Sequence, residues 1–295
     1  MADGARAYPL YGLLIFLLVG LLVKPARAEP LRLATWNMEW LTDRPTGDPQ
    51  LPRDAVGKRP EDIERLRHYA EMLKADVVAI EEVDGPAVAA KIFSPDRYVI
   101  DLTADQVVQR VGLVIRRGIT FTENPDLAAL NVYPPTARFA LRSGKDVTLD
   151  LPDGKLRILA VHLKTGCQRD SLRSTRRPDC EVLGEQLPPL QAWIAKRQAE
   201  GVAFVVMGDF NRWMDGKDAF LAALQRAAPL VRATEGLSNP CWGGAPFIDH
   251  ILLGGPARAW MEPDSLRVLV YRETGADWKE RLSDHCPVAV QLRLP

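Results

Sequence analysis

Residues able to bind a cation, move a proton or donate hydrogen bonds interrupt the apolar runs of this 295-residue sequence at points where strands would end. Asn37 follows "LATW", Glu81 and Glu82 follow "VVAI", and His162 and Lys164 close "LRILAVHLK". Asp209 and Asn211 follow "VVMG", Asp249 and His250 interrupt "FIDHILL", and Asp284 and His285 precede "CPVAVQL". One such break reads equally well as a turn in which Asp or Asn satisfies its own backbone. Polar breaks at one end of several packed strands would instead converge on a crevice.

That set matches what phosphoester hydrolysis demands. Displacement at phosphorus builds negative charge on the phosphoryl and leaving oxygens, and a hard divalent cation held by carboxylate and amide oxygens answers it. Glu82 and Asn37 are suitable ligands, and Mg²⁺ is the expected ion, with Mn²⁺ as an alternative. The attacking water needs a group that orients or deprotonates it, and the phosphoryl group needs donors; Asp209, Asn211, His162 and His285 supply both. Asp249 is suited to hold the tautomer of His285 and favour its charged form.

The elements that must position these groups are mostly strands. Runs at Leu31–Trp36, Val77–Ile80, Gly112–Ile115, Arg138–Leu141, Leu156–Leu163, Phe204–Met207, Phe247–Leu253 and Val288–Leu292 read as strands, several too apolar to have one wet face. "EDIERLRHYAEMLK" places Ile63, Leu66 and Leu73 at helical spacing, and "DGKDAFLAALQRA" is a second amphipathic run. "CEVLGEQLPPLQAWIAKRQ" is a third, which Pro188 and Pro189 are expected to split, because proline removes a hydrogen bond and crowds the preceding turn. No repeat or linker divides the chain, so the expectation is one α/β domain with helices packed outside sheets.

Composition bounds the function loosely. Apolar residues make up 47%, ample for a core, and 38 Lys plus Arg balance 38 Asp plus Glu. Any nucleic-acid contact must therefore come from a local patch. The amino-terminal stretch pairs an apolar run from Leu10 to Val23 with Ala26-Arg27-Ala28, the pattern of a signal peptide over residues 1–28. The run falls short of the roughly 20 residues that span a bilayer, so no stable membrane span is expected after cleavage and the mature domain is residues 29–295, periplasmic or secreted. Four cysteines suit such a compartment. Cys167 with Cys180 is the favoured disulfide, because it closes one polar, Arg-rich segment, and Cys241 with Cys286 follows.

Taken in order, "TWNMEWL", "VVAIEEVDG", "LAVHLKTG", "VMGDFN", "FIDHILL" and "LSDHCPVAV" resemble the endonuclease/exonuclease/phosphatase superfamily, which includes deoxyribonuclease I-like enzymes. The resemblance runs from residue 31 to the carboxyl terminus. It implies an α/β four-layer sandwich of two mixed β-sheets flanked by helices and a Mg²⁺-dependent phosphoesterase. It further implies that Asn37, Glu82 and Asp284 belong to the metal site, that Asp209 and Asn211 position water and phosphate, and that His162 and His285 form an acid/base pair on the phosphate. "PTARFALR" is similar to the family's arginine segment, making Arg138 a substrate contact. Two departures stand out: Glu81 occupies the usual glutamine position, and Gln109 stands where the deoxyribonucleases carry a second glutamate.

Blander readings accompany several of these residues. Asp249 in an apolar strand is costly to bury unpaired, which favours a partnered role. Alternation turns His250 away from Asp249, toward a structural or surface role, and His68 is expected exposed. Glu81 should face away from Glu82 unless the strand has ended. Lys164 reaches the phosphate or is simply solvated. The segment "CQRDSLRSTRRPDC" is a substrate-facing surface or an ordinary set of surface ion pairs. The expected activity is that of an exported, monomeric nuclease acting on DNA or RNA. A phospholipid or sphingomyelin phosphodiesterase, a small-molecule phosphatase and a non-catalytic binding protein are the alternatives.

Overall fold

The apolar runs become the inner strands of two six-stranded sheets in the computed structural model, which describes residues 1, 4, 29–53, 55–134, 136–137, 139–152, 154–174 and 176–295. Most of the amino-terminal segment read as a signal peptide lies outside the described residues. In chain order the elements begin with β1 (Leu31–Leu41), α1 (Pro60–Leu73), β2 (Val77–Val83), α2 (Pro86–Ile92), β3 (Tyr98–Leu102) and β4 (Arg110–Arg116). They continue with β5 (Thr120–Glu123), β6 (Lys145–Leu151), β7 (Gly154–His162), α3 (Pro178–Ala199), β8 (Ala203–Asp209) and α4 (Ala219–Ala227). The last are β9 (Leu230–Arg232), β10 (Asp249–Gly254), β11 (Arg267–Val268), α5 (Asp277–Arg281) and β12 (Val288–Leu292).

The first sheet has the order β11-β12-β1-β2-β4-β3 and the second β5-β6-β7-β8-β10-β9. Both are mixed: β1 runs parallel to β2 and β7 parallel to β8, while the remaining neighbours are antiparallel. Side chains of a strand alternate between faces, so a strand apolar at every position must be covered on both sides. On β2, Val77 and Ala79 enter the core between the sheets with Leu33, Ile158, Val205, Met207 and Ile251. Val78 and Ile80 face outward against α1 and α2, beside Leu66, Ile92 and Phe93. Leu159, Val161 and Val206 of the second sheet face Leu190, Phe220 and Leu224 of α3 and α4. The result is four layers, helix, sheet, sheet and helix, as the resemblance implied.

Two local expectations fail. The segment 139–141 joins no strand: the Leu141 N–H is taken by the Asn131 side chain at 3.0 Å, and the next strand, β6, begins only at Lys145. Nor do Pro188 and Pro189 split the helix, for α3 runs unbroken over 22 residues. Leu183 and Gln186 before the prolines and Leu190, Trp193 and Ile194 after them are all buried, so packing of both halves on one sheet face outweighs the lost backbone hydrogen bonds.

Candidate active site

The inward-facing positions that build the inter-sheet core turn polar at one end of both sheets. Leu33 is followed at the same face by Thr35 and Asn37, Ala79 by Glu81, Ala160 by His162, and Met207 by Asp209. Pairing fixes their level: His162 lies opposite Asp209, Asp209 opposite Asp249, and Asn37 opposite Glu81. Gly208 makes this alignment possible. Its φ is +145°, and a Cβ there would sit 1.9 Å from the Val161 carbonyl oxygen, so β8 could not lie this close to β7 with any other residue.

Glu82 breaks the alternation. The β2 register shifts between Ile80 and Val83, and Glu82 adopts a φ of +59°, a left-handed conformation that costs a non-glycine residue on the order of 1–3 kcal/mol. The shift brings Glu82 to the same crevice as its inward neighbour Glu81. Its Oε1 accepts from Asn37 Nδ2 at 3.3 Å and its Oε2 from the Trp40 N–H at 3.2 Å. Asn37 Nδ2 also donates to Asp209 Oδ2 at 3.1 Å, so one amide links the two sheets. Glu39, two residues beyond Asn37, is a carboxylate that the sequence reading passed over. Burial, then the nearby Asp284 and Glu82, push Glu39 up to about 9. The glutamate two positions after Asn37 in "TWNMEWL" was the available signal. Three carboxylates and an amide form a hard-oxygen donor set that suits a divalent cation such as Mg²⁺ or Mn²⁺.

On the second sheet, Asp209 is buried and collects donors: the Asn211 N–H at 2.7 Å and Asn211 Nδ2 at 3.1 Å. Burial pushes Asp209 up to about 7, with the His285 cation opposing the rise and Asp249 adding to it. Asn211 also donates to the Leu163 carbonyl at 3.1 Å, tying the ends of β7 and β8 together. His162 Nε2 stands 3.5 Å from Asp209 Oδ2 and 3.6 Å from Glu82 Oε1. Burial, then the Arg142 and His285 cations, hold His162 well below the usual histidine range, so it is neutral. Its Nδ1 is buried with no hydrogen-bond partner among the described residues, and Gln109 does not fill the place of a supporting acid.

His285 is in the opposite state. Burial lowers it, but Asp249 and Asp209 outweigh burial and raise it well above the usual range. Nδ1 meets both Asp249 oxygens at 3.0 and 2.9 Å, leaving Nε2 3.9 Å from Asp209 and 3.6 Å from Asp284. The turn that carries it is fastened on several sides. Ser283 Oγ donates to the Asn37 carbonyl at 2.7 Å, Tyr271 donates to the His285 carbonyl at 2.9 Å, and Cys286 is disulfide-bonded to Cys241. Asp209, Asp249 and His285 also bring ligand atoms within 4.8 Å of one another. A protonated imidazole has no lone pair to offer a metal, so this trio is better suited to proton transfer. Two histidines held apart in charge state are suited to separate proton-handling roles.

The remaining predicted residues fall around this centre. Lys164 directs its ammonium to Asp179 at 2.6 Å rather than toward the carboxylates. Arg138 lies outside the described residues; four positions later Arg142 is buried beneath the site and donates to the His162 and Leu163 carbonyls at 3.3 and 3.1 Å. Glu81 is fully buried, accepts from Thr35 at 3.1 Å, and is pushed well above the carboxylate range by burial and by Asp249 and Asp209. A neutral carboxylic acid there can replace the amide of the family's usual glutamine. His250 is structural: it is buried between Thr234 at 2.7 Å and the Arg212 carbonyl at 2.9 Å, and burial lowers it to about 4. His68 is exposed. Both expected disulfides, Cys167–Cys180 and Cys241–Cys286, are formed.

Solved structures share this architecture. Humanized D. rerio TDP2 aligns at TM-score 0.60 with 17% identity, covering 90% of this chain and 99% of that one. The 3' phosphatase NExo from Neisseria, bound to product DNA hairpin, aligns at 0.56 with 16% identity, covering 90% and 100%. An endonuclease/exonuclease/phosphatase from Beutenbergia cavernae aligns at 0.55 with 22% identity, covering 90% and 72%. Comparison with curated proteins returns no match. The sequence profile of the Endonuclease/Exonuclease/phosphatase family matches residues 34–285, and with it the chain belongs to that family.

Proposed function

We propose that the protein is an exported, divalent-metal-dependent phosphodiesterase that hydrolyses a nucleic-acid strand by in-line attack of water. The observation that carries this reading is the pairing of a carboxylate poised near 7, Asp209, with a protonated His285 across one crevice, opposite the Glu82, Asn37, Glu39 and Asp284 oxygens. Asp209 accepts the proton of the attacking water, with Asn211 fixing the orientation of its carboxylate. His285, held by Asp249, donates to the phosphoryl or leaving oxygen as charge develops. Neutral His162 supplies a second hydrogen bond to the phosphoryl group. Glu82, Asp284 and Glu39 would hold the cation, with Asn37 at its edge; when bound it neutralises charge on the phosphoryl oxygens.

Export is supported by the signal-like residues 1–28 and by two disulfides, which persist in oxidising compartments. Among the described residues no helix is long and apolar enough to cross a membrane. A nucleic-acid substrate is supported by relatives of the same fold solved with DNA, including D. rerio TDP2 complexed with single strand DNA product. The test is hydrolysis of single-stranded and plasmid DNA, RNA, sphingomyelin and bis-p-nitrophenyl phosphate by residues 29–295 with Mg²⁺, Mn²⁺ or EDTA. Chelator-sensitive cleavage of nucleic acid is the expected result. Turnover of sphingomyelin or the small diester alone would move the substrate class, and silence on every substrate would overturn the hydrolase reading.

A further inference from the structure

The Cys167–Cys180 loop carries four arginines and is fastened to the catalytic strand ends. Buried Arg212, the residue after Asn211, donates from Nη1 to the Cys167 and Asp170 carbonyls at 2.9 and 2.8 Å, while Asp218 holds its other face at 2.7 and 2.8 Å. The Trp213 N–H donates to the Gln168 carbonyl at 2.8 Å. The loop is thus laid rigidly against residues 211–213, beside the reacting centre.

Its charges are not self-neutralised. Arg177 pairs with Asp170 at 3.1 Å and Asp179 is taken by Lys164. Arg169, Arg173 and Arg176 are exposed and have no carboxylate at ion-pair distance among the described residues. The Arg169 guanidinium stands 5.4 Å over the half-exposed Trp213 ring. Exposed cations beside a half-exposed aromatic ring are the recognition chemistry of single-stranded nucleic acid, in which phosphates follow the cations and an unpaired base stacks on the ring or on the guanidinium plane over it. The chain as a whole has no net charge, so such attraction must be local.

Building on the nucleic-acid reading above, we infer that Arg169, Arg173, Arg176 and Trp213 form a track for the single strand flanking the scissile phosphate, outside the catalytic centre. The track binds substrate length and leaves the chemistry untouched. It also gives the loop disulfide a purpose, since a fixed loop loses less conformational freedom when the strand binds.

The test compares the full protein with its Arg169→Glu/Arg173→Glu variant in two assays. The first is fluorescence anisotropy of a labelled single strand of about 15 nucleotides in EDTA, across a salt series. The second is Mg²⁺-dependent turnover of bis-p-nitrophenyl phosphate. The expected result is an apparent Kd raised about tenfold or more, a salt slope reduced by about 1 or more, and unchanged small-diester turnover. Unchanged oligonucleotide affinity, or an equal loss in both assays, would overturn the inference. So would wild-type binding to phosphatidylserine vesicles but not to the oligonucleotide. If the oligonucleotide affinity falls in the variant yet the wild type cleaves no phosphodiester, the track stands and the hydrolase reading fails.

Discussion

The catalytic centre and the disulfide loop are both rich in charge, yet they use it in opposite ways. In the centre, Asp209, Glu81, Glu39, His162, Arg142 and His285 are wholly or largely withdrawn from water, and each has its protonation shifted by burial and by its neighbours. Low dielectric makes every such interaction strong, so a proton becomes available or unavailable by position. On the loop, Arg169, Arg173 and Arg176 stay in solvent, where single charges act weakly but sum along a polyanion. Arginine itself shows the contrast: buried Arg142 and Arg212 hold backbone carbonyls, whereas the exposed arginines wait for a partner.

Substitutions should separate the two regions. The largest effect is expected for Asp209→Asn, which removes the water's proton acceptor and should lower kcat by about 10²–10⁴ on oligonucleotide and small diester alike. Because the same change relieves a buried carboxylate, the thermal midpoint should not fall. A kcat within threefold of wild type, measured at substrate saturation, would take Asp209 out of the mechanism.

A smaller, pH-dependent effect is expected for Asp249→Asn. Against burial, Asp249 keeps His285 protonated, and that proton is lost only as pH rises through the raised value. Without the carboxylate the proton leaves at lower pH, so the alkaline limb of kcat against pH should move down while the low-pH rate is largely kept. An alkaline limb left in place would mean that His285 is not the proton donor.

The smallest effect belongs to the loop. Cys167→Ser/Cys180→Ser should raise the KM for oligonucleotide a few-fold, through the ordering that binding must then supply, and leave kcat on the small diester near wild type. Opening Cys241–Cys286 provides the contrast. That bond holds the turn bearing His285 across a sequence separation of 45, so its loss should reduce turnover of both substrates together and lower stability by about 2–5 kcal/mol, read by urea unfolding. Identical substrate profiles for the two disulfide variants would erase the distinction between the regions.

The sequence by itself determined the layers and the level of the site. Strands apolar on both faces can only be sandwiched, and a polar residue continuing an inward-facing series, as Asp209 continues Val205 and Met207, must emerge where the core ends. Those are local properties of period-two alternation, legible without coordinates, and the order of the motifs carried the family. What only the tertiary structure decided involves residues far apart in the chain. Glu82 reaches the crevice through a backbone shift that no alternation predicts, Glu39 joins because Asp284 and Glu82 close around it, and Arg142 rather than a strand fills the segment after Pro134. His162 is neutral and His285 charged for the same reason: burial acts on both, but Asp249 from β10 compensates only one. Charge state depends on distance and solvent exclusion in three dimensions, and neither quantity is written in the spacing of residues along the chain.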